Sequence, residues 1–415
     1  STLLASSAAS DVYKRQAETG GKNVIILTAS GDRDHAIMNI VASAFGNAGQ
    51  KCSACSLLLV ERSVYEDKNF QSKLKDAATS LKVGSVWNPG NIVGPMITNK
   101  NDKLLQAFNL EPGESWLVPP RFIDEKEYML APTVKWGVKP ENFSFRTELF
   151  GPLLSVACIE NLEEGIKLVN SLDYGLTSGL QSLDEEEQKL WKNSVIAGNL
   201  YINRGITGAI VNRQPFGGMK LSAFGGGIKA GGPNYCTCFV EITDKPDSQT
   251  DYIDSYFDAC EEEFMDPRDV NKLYGEQNVF RYLPLKSIIL RLFPEDTDRE
   301  VNMISYASEL CRTPLTISFD PSDDRTAALT QYGWPLRKES LEDFLKVMPD
   351  YERVRTCSPN IPKCMYERAA ETNMYIVAAP PMKQGRIELI RYFKEQSISF
   401  EYHRYGSISE VPPYE

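Results

Sequence analysis

The amino-acid sequence predicts an α/β protein with a mostly parallel sheet, followed by a second, smaller α/β domain. Short apolar runs alternate with stretches of helical spacing, and this alternation is typical of parallel sheets joined by helices. The 415 residues are enough for two or three domains, each with its own core. Hydrophobic residues make up 42% and charged residues 24%, as in an ordinary globular protein.

The first part of the chain alternates strand-like and helix-like segments. Residues 23–27 form a short apolar run suited to a buried strand, and residues 31–46 follow with helical spacing. One face of that helix carries Ile37, Ile40, Val41 and Ala44. The remaining predicted strands are 56–64, 129–138, 153–158, 176–180 and 200–202, and the remaining predicted helices are 65–81, 162–172 and 184–196.

The composition changes after residue 243. Residues 243–251 read Thr-Asp-Lys-Pro-Asp-Ser-Gln-Thr-Asp, which indicates a linker, and we interpret the acidic run at 261–263 as a solvated helix face. The predicted elements of the last part are strands 287–292 and 315–319, a helix at 385–396, and a half-buried strand at 398–403. We therefore predict domains at 17–244 and 270–415, joined by a linker and acidic helix at 245–269.

The most informative stretch is residues 45–52, Phe-Gly-Asn-Ala-Gly-Gln-Lys-Cys. Glu18 lies 34 positions upstream of Cys52, in an Ala-Glu-Thr-Gly-Gly turn. A Gly-flanked thiol and a separate carboxylate suggest covalent catalysis on a carbonyl, in which the thiol attacks and the carboxylate activates water. A buried cysteine without a catalytic role remains the alternative when Cys52 is considered alone.

Both segments, in this order and at this spacing, resemble the aldehyde dehydrogenase superfamily. The continuation at 50–56, Gln-Lys-Cys-Ser-Ala-Cys-Ser, is similar to the L-glutamate γ-semialdehyde (pyrroline-5-carboxylate) dehydrogenases, including the second half of bifunctional proline-utilisation enzymes. The resemblance implies that Cys52 is the nucleophile, that Glu18 is the general base and that NAD is the cofactor. It also implies an aldehyde-dehydrogenase-like fold.

Further motifs follow in the order of that family. Residues 147–152, Thr-Glu-Leu-Phe-Gly-Pro, resemble its cofactor motif, which implies that Glu148 holds the nicotinamide ribose and that Phe150 packs on the nicotinamide. The resemblance further implies that Gly208 and Ala209 bind the α-carboxylate of the substrate through backbone amides. It assigns Ser53 a hydroxyl contact to that carboxylate, and Phe216 an aromatic wall of the substrate site.

Two terminal segments also carry resemblances. Residues 10–16 resemble the translation of a transposase adaptor from sequencing libraries, so we interpret 1–16 as a non-native leader; a genuine Ser/Ala-rich tail is the alternative. On this interpretation the cofactor domain, which precedes the Glu motif in the family, is largely missing and the chain alone is inactive. Residues 275–284 and 402–406 resemble the non-catalytic C-terminal domain of longer proline-utilisation proteins.

Composition excludes several other functions. The net charge of −11 and the sequence pI near 5.0 argue against a nucleic-acid partner, and no apolar run is long enough to span a bilayer. Nine cysteines are too few for a disulfide scaffold, which favours a cytoplasmic protein with reduced thiols, and two histidines at no metal spacing argue against a metal site. The Gly-rich stretch 223–233 lacks the order of a phosphate loop, so it predicts irregular backbone with positive φ.

The predicted function is therefore NAD-dependent oxidation of L-glutamate γ-semialdehyde in proline catabolism. A dehydrogenase for another semialdehyde and a non-catalytic interaction module are the alternatives. The partner is a small-molecule substrate, and the resemblance leaves open a homo-oligomer and a proline dehydrogenase domain upstream.

Overall fold

A computed structural model describes residues 17–98, 101–124, 126, 128–240, 242–245 and 250–408, so the predicted leader lies outside the described residues. The strands are β1 Ala17–Glu18, β2 Asn23–Leu27, β3 Cys55–Glu61, β4 Ser115–Val118, β5 Phe122–Asp124, β6 Met129–Leu130, β7 Thr133–Trp136, β8 Leu153–Ile159, β9 Tyr174–Gly175, β10 Thr177–Gln181, β11 Asn199–Ile202, β12 Met219–Lys220, β13 Ala223–Phe224, β14 Glu276–Pro284, β15 Ile288–Arg291, β16 Leu315–Phe319, β17 Leu336–Lys338, β18 Arg353–Thr356, β19 Ile376–Ala378, β20 Phe393–Glu401, β21 His403–Arg404 and β22 Ser407–Ile408.

The α-helices are α1 Arg33–Phe45, α2 Arg62–Tyr65, α3 Lys68–Ser80, α4 Asp102–Gln106, α5 Phe143–Arg146, α6 Leu162–Ser171, α7 Glu185–Ser194, α8 Tyr252–Ala259, α9 Asp298–Leu310, α10 Thr326–Thr330, α11 Leu341–Val347, α12 Lys363–Thr372 and α13 Gly385–Glu388. Short 3₁₀ segments lie at Gly46–Gly49, Tyr235–Phe239, Met348–Asp350 and Leu389–Tyr392, and a π-helical turn lies at Cys260–Phe264. Among the helices that the structure describes, none is both long and apolar enough to cross a membrane.

Backbone contacts divide the chain into two compact units. The site unit comprises Glu18–Ala223, Asp269–Val279 and the described residues from Ser397 onward. The second unit comprises Phe224–Arg268 and Phe280–Gln396. These units are defined by backbone contacts. The predicted domain limits rest on composition and resemblance instead, and they stay a prediction.

The large sheet confirms the predicted mostly parallel α/β fold. Its strand order is β14-β20-β11-β10-β2-β3-β8-β7-β4. Every neighbouring pair from β20 to β7 is parallel, and β4 is antiparallel to β7. The part of β20 that pairs with β11, residues 397–400, belongs to the site unit.

The central strand β2 is buried on both faces, as expected for a parallel sheet covered by helices. Ile25 and Leu27 pack in one apolar cluster, together with the predicted apolar face of α1. Val24 and Ile26 point the other way and pack against residues of α6 and α7. This alternation follows from the two-residue period of a strand. Because both faces of β2 are packed, the residues at its ends are held in place.

Three predicted elements differ from the structure. The predicted strand 56–64 ends at Glu61 and gives way to α2, and the predicted strand 129–138 is divided into β6 and β7. Pro132, which has no backbone N–H to donate, lies between those two strands. The predicted helix 385–396 is α-helical only to Glu388, and β20 already begins at Phe393 because strand pairing and apolar packing outweigh the helical spacing there.

The end of β20 also differs from the expected half-buried strand. Ser399 was expected to face solvent, but it is 1% exposed. Its hydroxyl accepts hydrogen bonds from Arg204 Nη1 at 2.9 Å and Gln214 Nε2 at 3.0 Å. The alternation of polar and apolar residues is therefore wrong at Ser399, which is buried against other polar groups, whereas Tyr402 is buried and His403 is exposed as the alternation indicates.

The second unit contains the predicted smaller α/β fold. Its five strands have the order β17-β16-β15-β18-β19, and every neighbouring pair is parallel. Helix α9 begins with a capping box, in which Thr297 and Glu300 satisfy each other's backbone N–H groups. Positive φ angles at Gly225, Gly227 and Gly231 confirm the irregular backbone predicted for the Gly-rich stretch.

Candidate active site

The candidate site lies at the amino-terminal edge of the large sheet. The strand registers place Cys55 beside Asn23, and Thr177 beside Asn199, so the first residues of β3, β2, β10 and β11 form a row. Glu18 is the last residue of β1, just before β2, and the loop that precedes β3 carries Cys52. Parallel pairing therefore brings these two predicted catalytic segments to the same edge.

Asn23 holds the cysteine loop in place. Its side-chain Nδ2 donates to the carbonyl oxygens of Cys52 at 2.7 Å and Ala54 at 3.0 Å. Its Oδ1 accepts from the backbone N–H of Thr177 at 3.1 Å. Because Asn23 is 1% exposed, these hydrogen bonds are protected from water and fix the backbone that presents Cys52.

Cys52 is exposed, whereas Cys55 is buried. Partial burial, together with the nearby carboxylates of Glu18 and Glu148, raises the pKa of Cys52, and the backbone N–H groups of Ser53 and Cys52 oppose that rise. Burial raises the pKa of Cys55 to about 12, so Cys55 is an inert structural thiol. Of the two cysteines in this Cys-x-x-Cys, only Cys52 is accessible to a substrate.

The Glu18 segment approaches the cysteine loop through glycine. A Cβ atom on Gly21 would lie 2.8 Å from the carbonyl oxygen of Cys52, so a larger residue would push the two segments apart. The exposed carboxylate of Glu18 accepts a hydrogen bond from the N–H of Gly218 at 2.8 Å. These contacts place the carboxylate on the same surface as the thiol.

The predicted cofactor residues also lie beside these loops. Glu148 Oε1 accepts from the N–H of Gly21 at 3.0 Å, and burial raises the pKa of the Glu148 carboxyl. Phe150 has a left-handed φ of 48° and a side chain that is 37% exposed. Its carbonyl oxygen accepts from Gln50 Nε2 at 3.2 Å, which joins the 148–151 turn to the cysteine loop.

The residues predicted to bind the substrate lie in three places in the chain, namely at Ser53, at Phe216 and at the pair Gly208 and Ala209. Ser53 is 6% exposed, and its carbonyl oxygen accepts from Thr177 Oγ1 at 3.4 Å. Phe216 is half-buried, and the residues on either side of it are held by Asn199, whose side chain bonds to the carbonyl of Pro215 and the N–H of Gly217.

Gly208 and Ala209 are exposed in the loop after β11, where Gly208 has a φ of 82°. The structure thus brings together Glu18, Cys52, Ser53, Glu148 and Phe150, whereas it places Gly208 and Ala209 in a separate loop.

Polar groups of the site unit anchor that loop at both ends. Arg204 forms an ion pair with Glu276 at 3.1 Å, and Gln214 Nε2 donates to Asn278 Oδ1 at 2.6 Å. The N–H of Ile206 donates to Ser43 Oγ at 3.0 Å. Residues 208 and 209 therefore lie exposed on a loop whose flanks are fixed.

Sequence reasoning missed Asn23 and Lys22. Lys22 is 3% exposed, its Nζ donates to the carbonyl of Ser56 at 3.3 Å, and burial lowers its pKa to about 7. The sequence does contain a pattern that could have drawn attention to them, because Lys22 and Asn23 are two polar residues at the start of an otherwise apolar strand. Their partners, however, lie 29 to 154 positions away, and the sequence does not reveal that pairing.

The comparison with known families matches residues 1–244 to the aldehyde dehydrogenase family. A 1-pyrroline-5-carboxylate dehydrogenase of Staphylococcus haemolyticus is 36% identical over 227 residues, which are 54% of this chain and 43% of that protein. The corresponding enzyme of Geobacillus kaustophilus is 36% identical over 221 residues, covering 53% of this chain and 42% of that protein. The chain thus spans less than half the length of these curated relatives.

Solved structures agree with this match. Proline Utilization A from Corynebacterium freiburgense aligns with 97% of this chain and 41% of its own, with 34% identity and a TM-score of 0.80. A 1-pyrroline-5-carboxylate dehydrogenase from Thermus with bound NAD aligns with 55% of this chain and 43% of its own, with 34% identity and a TM-score of 0.51. Since the family match covers more than half of its residues, the chain belongs to the aldehyde dehydrogenase family.

Proposed function

We propose that this chain supplies the thiol and the base of an NAD-dependent dehydrogenase that converts L-glutamate γ-semialdehyde to L-glutamate in proline catabolism. The observation that carries the proposal is the exposed Cys52 thiol on a loop clamped by Asn23, beside the segment that holds Glu18. The names of the relatives, 1-pyrroline-5-carboxylate dehydrogenase and Proline Utilization A, support the choice of substrate.

The reaction divides between two side chains. The sulfur of Cys52 adds to the aldehyde carbon and forms a thiohemiacetal, and loss of hydride from that carbon, with loss of the hydroxyl proton to water, converts it to a thioester. Glu18 then takes a proton from water, the resulting hydroxide attacks the thioester carbon, and the carbon–sulfur bond breaks. The products are the carboxylate and a regenerated thiol, and a thioester suits this step because it hydrolyses readily.

The residues that would hold the cofactor have a suitable environment. Phe150 presents an exposed ring on which a planar ring can pack, and Glu148 is kept beside the cysteine loop by the N–H of Gly21. NAD would accept the hydride. The role of this chain is to hold the cofactor's nicotinamide end near Cys52 and to orient its ribose through the Glu148 carboxylate.

The selectivity for an acidic aldehyde would come from the loop after β11. Backbone amides at Gly208 and Ala209 are donors of the kind that bind a carboxylate, and their loop carries no acidic side chain between residues 203 and 214. Ser53 would add a hydroxyl, and the half-buried Phe216 an apolar wall for the aliphatic part of the substrate.

The test is turnover by a version of the chain extended to the length of its curated relatives, followed by NADH absorbance with glutamate semialdehyde. We expect Cys52→Ser to abolish turnover while the folded state and NAD binding remain, because a hydroxyl is a far weaker nucleophile at neutral pH. Turnover retained above about a few per cent would remove Cys52 from this role. Faster turnover of succinate semialdehyde than of glutamate semialdehyde would refute the proposed substrate.

A further inference from the structure

The second unit contains a cavity of about 410 Å³ that the proposed dehydrogenase reaction does not use. It lies along β19, the edge strand of the five-stranded sheet in the described residues, and against the Gly-rich stretch. Apolar side chains provide much of its wall, including Ile228, Ile376 and Ile390. Its volume is within the range of small-molecule sites, which are mostly apolar with a few placed polar groups.

Among the described residues, the charged side chains that line this cavity are those of Arg353, Arg386 and Arg391. Two of them share a carboxylate with another arginine. Glu263 pairs with both Arg386 and Arg268, each at 3.2 Å, and Glu388 pairs with both Arg391 and Arg355. Four arginines therefore share two carboxylates in these pairs.

Arg353 is a further cation of this cavity, and it is buried. It is 3% exposed, and among the described residues it has no carboxylate within ion-pair distance. Two of its nitrogens donate to the carbonyl oxygens of Arg391 and Gly226, and its guanidinium lies 5.4 Å from the centre of the Tyr375 ring. Its Nε is buried without a hydrogen-bond partner.

An unpaired donor on a buried cation is unfavourable, because burial removes its water and nothing in the described residues replaces that water. Burial accordingly lowers the pKa of Arg353, although a guanidinium stays charged in proteins. A carboxylate in the cavity is a partner that would compensate the charge of the guanidinium, since charge-assisted hydrogen bonds to arginine are strong.

We propose that this cavity binds a small organic anion that consists of one carboxylate and an apolar tail. The carboxylate pairs with Arg353, and the tail lies against the isoleucine side chains of the wall. The site is independent of the proposed dehydrogenase activity, because each residue that carries it belongs to the second unit.

The experiment is calorimetric titration of the 415-residue chain with octanoate, octanamide and acetate. Octanoate should bind with a stoichiometry of one. Octanamide lacks the charge and acetate lacks the tail, so each should bind at least about tenfold more weakly. Equal affinity for octanoate and octanamide would refute an anion site, and no binding of octanoate would refute the site altogether.

Two variants locate the site. Arg353→Gln should weaken octanoate binding about tenfold, because it removes the charge. Arg353 also donates hydrogen bonds to two backbone carbonyls, so Arg353→Gln can affect folding as well as binding. Gly226→Leu therefore provides a second variant. A Cβ there would lie 3.6 Å from the Tyr375 ring, an ordinary contact, so the longer side chain enters the cavity and should block octanoate.

The matched control is Arg299→Gln, which removes an exposed arginine of α9 outside the cavity and should leave octanoate affinity unchanged. Circular dichroism melts check that each variant is folded. Octanoate binding that is unaffected in folded Gly226→Leu would place the ligand elsewhere and contradict the proposal, even if Arg353→Gln does not fold.

Discussion

At the scale of single residues, the electrostatics of Cys52 have a measurable consequence. The thiolate is the nucleophile, yet the surroundings of Cys52 raise its pKa, partly through the carboxylates of Glu18 and Glu148. In the absence of cofactor and substrate, Cys52 is therefore a protonated thiol at neutral pH. Its reactivity should rise with pH and should depend on the neighbouring charges.

We predict that alkylation of Cys52 by iodoacetamide accelerates about tenfold per pH unit between roughly pH 7 and 9, because the thiolate fraction grows in that proportion below the pKa. Glu18→Gln removes a negative charge, lowers the pKa of Cys52, and should speed alkylation at pH 8 by roughly threefold. Peptide mass spectrometry measures both rates.

Cys236, the other exposed cysteine, provides the internal control, since its alkylation rate should be the same with and without the Glu18 substitution. Slower alkylation of Cys52 in Glu18→Gln would mean that the carboxylate acts as a base towards the thiol. That result would contradict the assignment of Glu18 to water activation alone.

Gly208 permits a test of the loop after β11, which we propose binds the substrate carboxylate. Its φ of 82° is strained for a β-branched residue, and a Cβ there would have no atom within 4 Å, so Gly208→Val should reshape the loop without a steric clash. In the extended enzyme we expect a higher KM for glutamate semialdehyde, by about tenfold, and little change for an uncharged short aldehyde. If steady-state kinetics showed an equal rise of KM for both substrates, the loop would have only a structural role.

At the scale of elements, the segment Gly46–Gly49 sets the distance between the cysteine loop and the turn that carries Phe150. Gly49 has a φ of 66°, and a Cβ there would lie 2.4 Å from the carbonyl oxygen of Gly151. Gly46, three residues earlier, has a φ of −55° and no atom within 4 Å of its Cβ position. A side chain is therefore sterically excluded at Gly49 but has room at Gly46, although both glycines belong to one short segment.

Gly49→Ala should therefore lower the free energy of unfolding by roughly 2 kcal/mol or more, from left-handed strain and the backbone clash. Gly46→Ala should change it by less than about 0.5 kcal/mol. Urea unfolding of both variants measures the difference. Similar values for the two would show that the close approach to Gly151 is not a constraint.

The elements that the sequence predicted well are those in which apolar spacing and burial coincide. The strand at Asn23–Leu27 and the helix α1 follow directly from their apolar residues, because each buries the face that the spacing indicates. The helix predicted at 385–396 was wrong beyond Glu388, since a short apolar run does not distinguish helix from strand. The hydrogen bonds of Asn23 depend on strand pairing, which local sequence does not encode.

At the scale of the whole molecule, the chain spans less than half the length of the dehydrogenases it matches. The residues proposed to contact the cofactor, Glu148 and Phe150, would hold only its nicotinamide end. We expect the 415-residue chain to bind NAD with a dissociation constant weaker than about 1 mM, because most of the cofactor would lack protein contacts. Calorimetric titration with NAD measures this affinity, and a micromolar constant would contradict the expectation.

The hydrogen bonds around Cys52 join residues that are distant in the chain. The Asn23–Thr177 bond spans 154 positions and the Glu18–Gly218 bond spans 200. Contacts of this separation form late, because they require closure of long loops whose entropy must first be lost. During synthesis, Asn23 and the cysteine loop that it binds leave the ribosome early, whereas Thr177 and Gly218, which complete these hydrogen bonds, leave it much later. The complete arrangement of Cys52 and Glu18 therefore forms only when β10 has joined the sheet and the 217–218 turn has packed beside Glu18.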